Sequence, residues 1–196
     1  MENTVDLRIV EEPKKPLAMH PKKFAMWLFM ASVMMLFMAL TSAYIVRRAE
    51  GNWVFFEVPS FFYWSTGIVI TSSIAIQVAF FLAKKNLLSN VKLLLCASLF
   101  LSIAFLATQY LGLIQLIREG HYFTGGNVSE SFFYVFPWLH GAHIVSAIIF
   151  LMIVCASAFQ GKIHSKNMAQ MEMCTTYWHF LGGLWLYLFI FLLLYR

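Results

Sequence analysis

Five stretches of this chain contain no Asp, Glu, Lys or Arg: residues 24–46, 61–83, 93–117, 132–159 and 177–195. A helix needs roughly 20 residues to cross a ~30 Å hydrocarbon layer, so each stretch is long enough. Amphipathic helices of a soluble bundle would carry charge every third or fourth position. Membrane-spanning strands would alternate in units of about ten residues. The pattern therefore predicts an all-α, polytopic membrane helix bundle with five transmembrane helices. Composition agrees, with 61% hydrophobic and only 12% charged residues, too little charge to cover a soluble surface. The expected organisation is a polar tail over 1–23 and a single five-helix transmembrane domain over 24–196.

The few charges lie in tails and loops, where Lys and Arg set orientation. Ten of the 14 basic residues fall in the N-terminal tail and the 84–92 and 160–176 loops. The other four are Arg47, Arg48, Arg118 and Arg196. This bias predicts a cytoplasmic N-terminus and an outside C-terminus. The tail, with its acids and prolines, resembles neither a cleaved signal nor a transit peptide. Trp27 and Trp178 near inner ends, and Trp53, Trp64 and Trp138 near outer ends, fit interfacial belts. The net charge of +5 is not gathered into a basic face, so nucleic acid is not an expected partner. No loop is long enough to fold as a soluble catalytic or receptor domain. Cys96, Cys155 and Cys174 are widely spaced and form no CxxC, and read as small apolar residues.

Small residues recur at four-residue spacing, with Thr71, Ala75, Ala79 and Ala83 on the second helix and Ala104, Thr108 and Gly112 on the third. Such stripes let helix backbones approach where lipid gives no hydrophobic drive to associate. Gln77, Gln109 and Gln115 are suited to hydrogen bonds between helices. The methionines clustered between Met19 and Met38 read as soft apolar packing. Histidines at membrane depth are functional candidates. His140 and His143 share one helix face near the outer end, and His179 lies near the inner start of the last helix. A bis-histidine haem needs ligands at matched depth, and a catalytic metal wants three ligands, often with a carboxylate. On these grounds no catalytic, cofactor-binding or metal-binding residue is assigned. Glu119 is the acid closest to the outer edge and would reach the His140/His143 face if the third and fourth helices are neighbours. The fourth helix has two possible starts. Asn127-Val-Ser-Glu130 reads as a capping box opening a long helix that contains Pro137; alternatively Pro137 is the first helical residue.

Three motifs now resemble one family. Tyr177-Trp-His-Phe-Leu-Gly-Gly-Leu-Trp-Leu186 resembles the last-helix signature of subunit III of haem–copper oxidases. Ser131-Phe-Phe followed by His140-Gly-Ala-His143 is similar to that family's penultimate helix. Leu28-Phe-Met-Ala-Ser32 is similar to the start of its L-F-I-x-S-E segment. The order and spacing agree across about 24–196. Two departures stand out: Val33 replaces the family's usual intramembrane glutamate, and Gly182 its usual aspartate. Five helices match the shorter bacterial forms rather than the seven-helix mitochondrial type.

The resemblance implies an accessory subunit without redox centres in a bacterial cytoplasmic membrane. Its implied activity is support of a terminal oxidase that reduces oxygen, with haem and copper in subunits I and II. Subunit I is the implied main contact, with subunit II and other respiratory-complex subunits beside it. Bound structural phospholipid is also implied. Glu119, His140, His143, Trp178, His179 and Trp185 are then candidates for lipid contact, subunit contact or a structural network. A quinol-oxidase subunit or a protein associated with nitric oxide reductase is the alternative within the superfamily. From other classes come a small membrane transporter and a stand-alone membrane cytochrome. The spans lack the paired Gly/Pro interruptions that transporters tend to show.

Overall fold

The computed structural model describes residues 21–51, 58–120, 123, 128–161, 163 and 168–195. Readings that fall on Arg8, Lys14, Lys15, Trp53, Asn127, Lys162, Lys166 and Arg196 lie outside these residues. Five α-helices account for nearly everything described: α1 (Pro21–Ala49), α2 (Ser60–Lys84), α3 (Leu88–Arg118), α4 (Val128–Phe159) and α5 (Ala169–Tyr195). Each is long and apolar enough to cross a membrane, and no strand occurs among the described residues. The all-α, five-span expectation holds.

The helices outrun the uncharged stretches, because polar turns at the membrane edge extend the hydrogen-bond ladder at little cost. The described part of α1 already includes Pro21, Lys22 and Lys23, inside the segment read as tail. α4 begins at Val128 and carries Pro137 inside it. This decides between the two possible starts, and it puts Glu130 in the first turn with only 8% of its surface exposed. α5 begins eight residues before the last uncharged stretch and takes in Glu172. That carboxylate accepts a 2.7 Å charged hydrogen bond from the Lys23 ammonium of α1.

α2, α3, α4 and α5 close into a ring, each packed on the next and α5 back on α2. α1 lies outside the ring against α4 and α5, with no contact to α2 or α3. The α2–α3 turn is tight: Leu87 N–H bonds Leu82 O at 3.2 Å, and Asn86 takes a left-handed φ of 57°. Asn tolerates that conformation better than most residues. The Lys23–Glu172 pair marks one end of the bundle. At the other, the Tyr44 hydroxyl donates to Tyr195 O at 3.0 Å. α1 and α5 therefore run parallel, and these ends are called the Lys23 end and the Tyr195 end below.

The small-residue stripes are only partly the buried ones. Ala79, Ala83 and Gly112 are buried. Thr71 instead faces outward and bonds Gly67 O within its own helix. At Gly112 the fit is close enough that an added Cβ would stand 2.7 Å from Cε1 of Phe62 on α2.

Candidate functional site

The candidate residues gather around α5, the helix that touches α1, α2 and α4. Trp185 is fully buried. Its indole N–H donates to Thr66 Oγ1 at 3.0 Å, and that hydroxyl donates onward to Phe62 O at 2.8 Å. Thr66 thereby satisfies the one polar group of a side chain otherwise suited to an apolar core. Around the indole stand Phe62 and Phe105 edge-on, both with centroids 5.6 Å away, and the His140 imidazole at 5.5 Å. Phe37 of α1 meets His140 edge-on at 6.3 Å, and Phe105 does so at 6.1 Å. All five helices contribute to this one aromatic layer.

His140 has both ring nitrogens buried and without a hydrogen-bond partner among the described residues. Its surroundings are rings, and edge-on aromatic contact is what they offer it. It lies about 18 Å along α4 at 1.5 Å per residue, near the helix middle. The outer-end position expected for His140 and His143 is therefore corrected, because α4 starts nine residues before Pro137. Trp138 moves inward for the same reason, and it stays exposed on the bundle surface.

His143 sits one turn on and is half-buried. Its Nδ1 donates to Leu139 O at 2.7 Å, and Phe29 and Phe37 of α1 flank the ring. Tyr177 of α5 donates to Ser146 Oγ at 2.7 Å, which donates to His143 O at 2.6 Å. Val33 is buried one turn before Phe37 on the packed face of α1, with the half-exposed Phe29 one turn before it at the edge of that face. The position where the resembled family has a glutamate thus looks toward the histidine pair, and an apolar side chain fills it. Gly182, at the other departure, abuts α2, with Ser73 Oγ 3.3 Å from where a Cβ would stand.

His179 belongs to a different face. Its Nε2–H donates to Gln77 Oε1 of α2 at 2.9 Å. It lines a groove of about 430 Å³ on the α2 side of α5 and another of about 420 Å³ on the α1 side. Gly183 borders both grooves, and nothing stands within 4 Å of where its Cβ would be. The two grooves exist because α1 and α2 leave α5 uncovered between them. A third groove, of about 610 Å³, opens between α3 and α4 beside Trp138 and Ala142.

The remaining candidates separate from this cluster. Trp178 is buried, with its indole N–H unpartnered among the described residues. Its indole packs inside the bundle and does not face outward as an interfacial-belt residue would. Glu119 is exposed past the end of α3 and accepts from Gln115 Nε2 at 2.8 Å. α3 and α4 are neighbours as expected, but Glu119 bonds along its own helix. Gln115 is likewise intrahelical, whereas Gln77 and Gln109 do bridge helices; Gln109 Nε2 donates to Ser65 Oγ at 2.8 Å. Among the described residues, no three His, Cys, Asp or Glu side chains gather as a metal site would require. Sequence reasoning missed Thr66, Ser146, Phe37 and Phe105, since single hydroxyls and rings inside an apolar span carry no motif.

Comparison with known proteins gives the arrangement a context. The family described as cytochrome c oxidase subunit III matches residues 52–196. Cytochrome c oxidase subunit 3 of Bacillus sp. strain PS3 is 23% identical over 173 residues, 86% of this chain and 83% of that protein. The probable cytochrome c oxidase subunit 3 of Nocardia farcinica is 24% identical over 83% of this chain and 82% of its own length. Cytochrome bo(3) ubiquinol oxidase subunit 3 of Pseudomonas aeruginosa is 23% identical over 85% of this chain and 81% of that protein.

Proposed function

The chain belongs to the cytochrome c oxidase subunit III family, and from that premise we propose that it is an accessory, non-redox subunit of a respiratory terminal oxidase. It packs beside subunit I in a bacterial cytoplasmic membrane, while subunits I and II hold the haem and copper. Its own work is mechanical: it supports the assembly and retains phospholipid in the grooves flanking α5. One observation carries the lipid assignment. α1 and α2 do not meet, so Gly183 and His179 face open apolar grooves that acyl chains fill without displacing protein. Orientation is part of the proposal. The Lys23 end carries Lys22, Lys23, Lys84, Lys85 and Lys92, and the Tyr195 end Arg47, Arg48 and Arg118, which supports a cytoplasmic Lys23 end.

Affinity purification of the tagged chain in mild detergent tests the reading. Haem–copper subunits and phospholipid should accompany it, and reduced-minus-oxidised spectra should show haem in the complex but none in the isolated chain. Haem retained by the isolated chain overturns the non-redox assignment. A quinol-oxidase role is the second reading, because the ubiquinol oxidase relative shows identity and coverage similar to those of the cytochrome c oxidase relatives. Turnover of the purified complex with reduced cytochrome c against turnover with ubiquinol separates the two.

A further inference from the structure

Cys96 on α3 and Cys155 on α4 stand 59 residues apart in sequence, yet their sulfurs lie 3.9 Å from each other. That is van der Waals contact, and forming a ~2.05 Å sulfur–sulfur bond draws them together by about 1.8 Å. The two thiols differ in access. Cys96 is exposed on the bundle surface, whereas Cys155 is buried behind it. They lie near the Lys23 end, one turn inside the contact of the Lys92 ammonium with the Phe159 ring at 5.4 Å. Lys92 is four residues before Cys96 and Phe159 four after Cys155, so the same helix faces carry both contacts. The third thiol, Cys174, is free and buried on α5.

We propose that Cys96 and Cys155 form a two-thiol modification site, which a hydroperoxide closes into a disulfide joining α3 to α4. With hydrogen peroxide, the exposed Cys96 sulfur attacks one peroxide oxygen. The O–O bond breaks, the departing hydroxide leaves as water with the thiol proton, and Cys96 becomes a sulfenic acid. The Cys155 sulfur then attacks the Cys96 sulfur. The S–O bond breaks, a second water leaves with the Cys155 proton, and the S–S bond forms. The two thiols give up two electrons and the peroxide is reduced to two waters. The buried member resolves the sulfenic acid in place, so the product is an internal cross-link.

The test uses the full chain in its native membranes. Membranes are treated with hydrogen peroxide, denatured in detergent with N-ethylmaleimide, digested and mapped by mass spectrometry. The expected product is a dithiothreitol-sensitive peptide pair joining Cys96 to Cys155, with Cys174 recovered as the maleimide adduct. Recovery of Cys96 and Cys155 as maleimide adducts overturns the proposal. So does Cys96 recovered as sulfonic acid or bonded to another chain. In a C155S variant the linked peptide should vanish and dimedone should trap the sulfenic acid at Cys96. A C155S chain that yields no dimedone adduct removes Cys96 as the attacking thiol and overturns the sequence of steps.

Discussion

The interior of the four-helix ring and the outward face of α1 are both apolar, yet they are packed differently. Inside the ring, Trp185, Phe62, Phe105 and His140 are wholly or almost wholly buried, and the indole N–H is satisfied by Thr66. On α1, one face is buried through Met30, Val33, Phe37, Thr41 and Tyr44, while Phe24, Trp27, Met35 and Val46 stay more than half exposed. Water-driven burial cannot explain this division in a membrane, because lipid tails are as apolar as leucine. What separates the regions is the number of helices that supply shape-matched neighbours. Hydrophobicity alone selects the membrane, and ring-to-ring fit selects the partner helix.

Breaking the ring interior should have the largest effect. Trp185→Ala removes the centre of the aromatic layer and leaves Thr66 without its donor. A loss of about 3–5 kcal/mol is expected, read as a lowered melting temperature and a lost complex in detergent. Trp27→Ala on the exposed face of α1 should leave the isolated chain's melting unchanged, and an equal loss there would dissolve the contrast. Next comes Gly112→Val, which drives a side chain into Phe62. A cost of about 1–3 kcal/mol is expected from overpacking, with partial rescue by Phe62→Leu. Gly183→Ala, with open space around it, should be neutral for melting and reduce co-purifying phospholipid.

Smaller effects sharpen the comparison. His179→Leu strands Gln77 and should cost about 0.6–2 kcal/mol, the range of interhelical hydrogen bonds in membranes. His140→Leu gives up no hydrogen bond and should cost less than His179→Leu in the same unfolding titration. Smallest among these should be Lys23→Gln. Its partner Glu172 is half exposed, and such pairs contribute about 0–1 kcal/mol, so added salt should erase the difference from wild type.

Much of this architecture was legible in the uncharged runs. They located all five spans and missed their ends, because Glu130 and Glu172 continue a helix where a charge count stops it. That shortfall displaced His140, His143, Trp138 and Trp178 along their helices. The family signature was legible in Tyr177-Trp-His-Phe, since it is contiguous in sequence. The partnerships of its members were not: His179 with Gln77, Tyr177 with Ser146 and Trp185 with Thr66 each join different helices. Helical spacing reports the face a residue occupies and is silent on which helix comes to meet it. Cys96 and Cys155 make the same point, as spacing alone separates thiols that the α3–α4 packing brings together.

The contact order of the helices also dictates a schedule for synthesis. α1 is made before α2 and α3, yet among the described residues the helices it packs against are α4 and α5. While the ribosome extends the intervening helices, α1 stands alone in the bilayer, and α2 and α3 can already pair through their tight turn. α4 gives α1 its first contacts, at His140 and His143, and its packing is complete only after Tyr177, Tyr187 and Tyr195 emerge to meet Phe29, Thr41 and Tyr44. The helix released early is thus among the last to find its place, and through that interval its buried face is open to an insertion factor or a neighbouring subunit.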